Sequence, residues 1–130
     1  MAVSLLREGA RLTLLGQAPS LPGDGAAYIE ALGAISAQPE PYRLLVDFQI
    51  AIDLTPEQRK AQNLWYKADR ALIEAQCEAM AMLRPSADAE MQRVWQSLFS
   101  FPVLVTTSRD VAEAFLQASV LPDRRDRSNG

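Results

Sequence analysis

The sequence predicts an α/β fold: a single mixed sheet with an N-terminal hairpin and parallel central strands covered by helices. Three observations predict it. Tyr42-Arg43-Leu44-Leu45-Val46-Asp47-Phe48 is a short apolar run of the kind a strand buried on both faces requires. Thr55-Pro56-Glu57-Gln58 then opens a long helical pattern, with a hydroxyl cap, a proline in the first turn and a glutamine three residues past the cap. From Tyr42 onward apolar runs alternate with helical patterns, the order of strand-helix-strand units with right-handed crossovers.

Taken in order, Val3 to Leu6 and Arg11 to Leu15 are β-like runs around Gly9, which supplies the positive φ of a tight turn, so they read as a hairpin. Gln17 to Gly25 holds two prolines and two glycines and reads as a loop. A helix starts at Asp24 or Gly25, with Tyr28, Leu32 and Ile35 on one face, and ends before Pro39 and Pro41. The central strand runs from Tyr42 to about Ile50. After Thr55, the residues Ala61, Leu64, Trp65, Ala68, Leu72 and Ala75 form the expected buried face of a helix reaching to Cys77. Glu78 to Leu83, alternating Ala and Met, is a short buried strand. Ser86 or Asp88 caps the next helix, whose stripe is Met91, Val94, Trp95 and Leu98. Phe101 to Thr107 is the last strand, with Pro102 at its start. Ser108 caps the final helix, with Val111, Ala112, Phe115 and Leu116 inward and Asp110 favoured by the helix dipole.

The chain has 130 residues, 48% hydrophobic and 22% charged, enough for one domain with its own core. Residues 1–121 form that domain, and 122–130 read as a disordered polar tail in which Asp123-Arg124-Arg125-Asp126-Arg127 is solvated. A net charge of -3 argues against a nucleic-acid partner, because neutralising phosphates needs clustered Lys and Arg. One cysteine, Cys77, excludes an internal disulfide and agrees with a reducing compartment. No apolar run approaches the roughly 20 residues of a membrane span, so no membrane insertion is expected. The start of the chain lacks the pattern of a signal peptide, and a cytoplasmic location follows.

There is no histidine, which removes Ser-His-Asp and Cys-His catalysis and the commonest metal ligand. A lone Cys makes neither a zinc cluster nor a redox pair. No glycine-rich loop follows a strand, so P-loop and dinucleotide chemistry are excluded, and no cofactor or metal is expected. What remains is polar residues at the carboxyl ends of the strands, where parallel sheets bind ligands: Asp47, Asp53 and Thr55, then Arg84 and Ser86, then Thr106, Thr107 and Ser108. Each also has a structural reading. Thr55, Ser86 and Ser108 serve as caps, Asp47 accepts backbone N–H bonds at a strand end, and Arg84 is a surface arginine where the functional reading has it hold an anion against a helix N-terminus. Cys77 reads as a small buried hydrophobe.

Leu44-Leu45-Val46-Asp47-Phe48, the Ala79-to-Leu83 strand, and Pro102-Val103-Leu104-Val105 leading to Ser108-Arg109-Asp110-Val111-Ala112-Glu113-Ala114-Phe115-Leu116 together resemble the STAS superfamily, in its anti-sigma-factor-antagonist-like branch. The resemblance implies a bacterial, non-enzymatic regulatory module that docks a partner protein. In such members a Ser or Thr at the start of the helix after the central strand is phosphorylated, within Asp-Ser-Ser/Thr-Gly. The matching Asp53-Leu54-Thr55-Pro56 keeps the acid and a hydroxyl but lacks the adjacent serine and the glycine.

Two functions are expected from different classes. The first is a protein-interaction module docking through the loop and helix start after the central strand, around Asp53, Thr55, Glu57, Arg59 and Lys60, with a second copy of the chain among its partners. The alternative is a carrier of a small hydrophobic or lipid-like ligand between sheet and helices, suggested by Met80, Met82 and the aromatic helices.

Overall fold

The computed structural model describes residues 2–17, 22–49 and 54–119. The tail at 122–130, the expected candidate Asp53 and the middle of the 17–25 loop lie outside the described residues. The elements are β1 (Ala2–Glu8), β2 (Arg11–Gln17), α1 (Asp24–Ser36), β3 (Tyr42–Phe48), α2 (Pro56–Gln76), β4 (Cys77–Leu83), α3 (Ala89–Leu98), β5 (Val103–Thr106) and α4 (Arg109–Ser119). The five strands form one mixed sheet in the order β1-β2-β3-β4-β5. β1 and β2 pair antiparallel around Gly9, whose φ of 61° is the left-handed geometry expected of that turn. β2, β3, β4 and β5 are parallel neighbours, so β3 sits at the centre and β5 at an edge. α2 passes into β4 with no intervening loop, because Cys77 is both the helix C-cap and the first strand residue.

Period-two alternation assigns the two faces. Leu12, Leu14, Leu44, Val46, Phe48, Met80, Met82, Val103 and Val105 point into a core closed by α1, α2 and α3. Leu45, Ala79 and Ala81 point the other way, beneath α4. The Ala-Met alternation of β4 therefore has a packing reason. The methionines fill space under three helices, while two alanines with no exposed surface let Ala112 and Leu116 of α4 lie close to the sheet.

Three helical faces depart from expectation. In α2 the inward side is Trp65, Tyr66 and Ile73, and Leu64 and Leu72 are 56% and 54% exposed. The buried side is turned about one residue, or about 100°, from the expected one. Two overlapping stripes compete at helical spacing, and the larger one packs. Its polar tips also find partners: the Trp65 indole N–H donates to Ser36 Oγ at 2.7 Å and the Tyr66 hydroxyl donates to the Leu98 carbonyl. In α3 and α4, Val94 and Val111 are likewise exposed rather than buried.

Candidate functional site

Thr55 is the N-cap of α2 in a reciprocal capping box. Its hydroxyl oxygen accepts from the Gln58 N–H at 3.1 Å, and Gln58 Oε1 accepts from the Thr55 N–H at 2.9 Å. Glu57, Arg59 and Lys60 follow it, all exposed. Ser86 lies exposed in the turn after β4 and caps nothing; Asp88 caps α3 instead, accepting from the Met91 N–H at 2.8 Å. Ser108 caps α4 as expected, its oxygen accepting from the Val111 N–H at 3.2 Å.

Asp47 is 4% exposed and points to the α4 side of the sheet. Its partner is not the following loop, as the sequence suggests, but Arg109 in the first turn of α4, which donates directly to its carboxylate. Arg109 also approaches Glu113 at 3.5 Å, and Glu113 accepts two bonds from Arg11 of β2, each at 3.0 Å. This chain of charges lines a groove of about 430 Å³ between α4 and the half of the sheet that no described helix covers, beside Leu6, Thr13 and Leu15. The ion pairs Arg109–Asp47, Arg109–Glu113 and Arg11–Glu113 make this a structural clamp, although the buried Arg11 Nε–H has no acceptor among the described residues.

Arg84 is different. It leaves the end of β4 and turns inward, with its guanidinium carbon 5.4 Å from the ring centre of Phe48 and 5.8 Å from that of Trp95. It is a half-buried cation held between aromatic faces, not a surface arginine. Its buried Nε–H has no acceptor among the described residues. Burial lowers its pKa, and the nearby Tyr28 phenol acts against that shift. Burial raises the Tyr28 pKa in turn, with the Arg84 charge opposing. Tyr28, Phe48, Leu54, Gln62, Arg84 and Trp95 enclose a space of about 90 Å³. It lies at the carboxyl ends of β3 and β4, the edge where parallel sheets receive ligands.

No family model matches the chain, and a search of curated proteins finds no match either. The site is therefore read from its geometry.

Among the described residues no group of three or more His, Cys, Asp and Glu could hold a metal ion. None of the helices described is long and apolar enough to cross a membrane. Between the sheet and α1–α3 lies an apolar cavity of about 30 Å³, bounded by Leu14, Leu32, Ile73, Met80 and Met82 among others. Cavities that admit benzene measure about 150 Å³, so a lipid-like ligand needs the helices to move off the sheet. Tyr28, Gln62 and Trp95 were not legible as site residues. The available signal was Gln62, a polar residue at helical spacing with the aromatic side of α2.

Proposed function

We propose that the chain is a non-enzymatic, cytoplasmic protein-interaction module of the STAS type, and that its partner is a second copy of itself docked through the outer face of α2. One observation carries this: α2, whose inward side is Trp65, Tyr66 and Ile73, also presents Leu64, Ala68, Leu72 and Ala75 to solvent, beside half-buried Ala61. From Ala61 these residues follow at steps of three, four, four and three, which keeps small and apolar side chains on one face, as the seam of a paired helix requires. Charge complementarity selects the occupant. Lys60, Lys67 and Glu74 flank the seam on one side, positive toward the N-terminus and negative toward the C-terminus, with the Glu74 carboxylate also accepting from the Ser100 N–H at 2.9 Å and from the Ser100 hydroxyl. An antiparallel pair centred on Ala68 sets Leu64 of one copy against Leu72 of the other and brings Lys60 near Glu74, as a closed two-fold interface demands. The element order, hairpin and parallel strands support the STAS reading, and a buried unpaired Cys77 suits a reducing cytoplasm.

Sedimentation equilibrium across the micromolar range tests the proposal. Wild type is expected to run as a dimer and the Leu64→Glu, Leu72→Glu variant as a folded monomer, since both leucines are already exposed. A monomeric wild type, or a variant that dimerises equally well, sinks it.

A further inference from the structure

We infer that Arg84 and the space around it bind a small organic monocarboxylate, with the carboxylate on the guanidinium and the hydrocarbon body against Phe48, Leu54 and Trp95. The inference goes beyond self-association and is independent of it, because Gln62 and Arg84 lie toward the core, away from the Leu64–Leu72 seam.

Four observations converge. A guanidinium drawn out of water with an unpaired Nε–H is costly unless an acceptor completes it. Among the described residues, those that bound the space supply one positive charge and no carboxylate: Tyr28, Phe48, Leu54, Gln62, Arg84 and Trp95. A single cation matches a monoanion, whereas a phosphate dianion brings a second charge with no second cation among the described lining residues. The planar fork of arginine matches the two oxygens of a carboxylate. The Tyr28 hydroxyl and the Gln62 amide are further donors, and the rest of the wall is aromatic or aliphatic, as a short hydrocarbon body requires. A space of about 90 Å³ limits that body to a few carbons.

The test uses sodium butyrate with the full chain, followed by tryptophan fluorescence and by the NMR signal of the Arg84 Nε–H. Neutral butyramide and inorganic phosphate are parallel arms. Butyrate is expected to bind saturably in the millimolar range, about tenfold or more tighter than butyramide and tighter than phosphate. Arg84→Gln should weaken butyrate by about tenfold or more, and Arg84→Lys by about threefold, since it keeps the charge and loses the fork. Arg59→Gln, an exposed charge change, should leave binding intact. The Leu64→Glu, Leu72→Glu chain should bind butyrate as wild type does, which separates this result from the fate of the dimer. Equal binding of butyrate and butyramide, preference for phosphate, or no saturable signal overturns the inference. So does undiminished binding by Arg84→Gln; should that variant fail to fold, undiminished binding by Arg84→Lys overturns it instead.

Discussion

Cys77 shows burial alone setting the chemistry of a side chain. It has no exposed surface, and burial pushes its thiol up to about 12 from an ordinary 9.0, against the weaker pull of hydrogen bonds with the Ala79 and Leu44 backbone. The thiolate, the reactive form, is thus disfavoured in the fold. The phenols of Tyr28 and Tyr42 are raised in the same way. Each of these groups favours its protonated form when folded, so its contribution is fully present below the unfolded-state pKa. It is lost as pH rises through the folded value, because the unfolded chain releases the proton first. Urea unfolding is therefore expected to give constant stability from this source up to about pH 8.5 and a decline above it. Cys77→Ala should flatten the first part of that decline, between about pH 8.5 and 9.5. An identical slope in both proteins would rule the thiol out as a cause.

At the scale of elements, α3 guards the edge of the sheet. An edge strand presents unpaired N–H and C=O groups that invite another strand. Here Gln92 accepts from the Val105 N–H and donates to the Val103 carbonyl, both at 2.7 Å. One turn on, Gln96 accepts from the Val103 N–H at 2.7 Å and donates to the Phe101 carbonyl at 2.9 Å. Two amide side chains four residues apart on one helical face thus act as a short substitute strand. Replacing both by alanine should cost about 2 to 4 kcal/mol, from four part-buried bonds worth about 1 kcal/mol each. Thermal unfolding measures that loss, and light scattering should reveal association through the opened edge. Full stability in the double variant would mean that water satisfies these groups equally well.

For the molecule as a whole, the sheet is covered unequally. α1, α2 and α3 seal one face with most of the large apolar residues, while α4 alone among the described helices lies on the other, contributing Ala112, Leu116 and half-buried Phe115. So small a contact area needs reinforcement, and the ion pairs supply it: Arg109 to Asp47 at one end of the sheet and Arg11 to Glu113 across β2. Removing Arg109 leaves a buried carboxylate without its counter-ion. Because Arg109 is itself half exposed, Arg109→Ala should cost about 1 to 2 kcal/mol rather than the full value of an enclosed pair. Amide exchange should show the loss first in α4 and only weakly in α1; uniform loss across the molecule would mean that α4 is not separately held.

Much of this was legible from the chain. Gly9 fixed the hairpin, the apolar Leu44–Phe48 run fixed the central strand, and Thr55 with Gln58 fixed the start of α2, because each depends on backbone preferences and hydrogen bonds within a few residues. The roles of α2's stripes, Asp47 and Arg84 were set by tertiary structure. Leu64 and Trp65 satisfy the same helical period, and which one turns inward depends on the volume beneath α2 and on Ser36 waiting for the indole. Asp47 finds its partner 62 positions away, and Arg84 meets Phe48 and Trp95 on two other elements. Local periodicity carries no information about such distances; only the closing of helices over the sheet decides which charge is paired and which is left waiting.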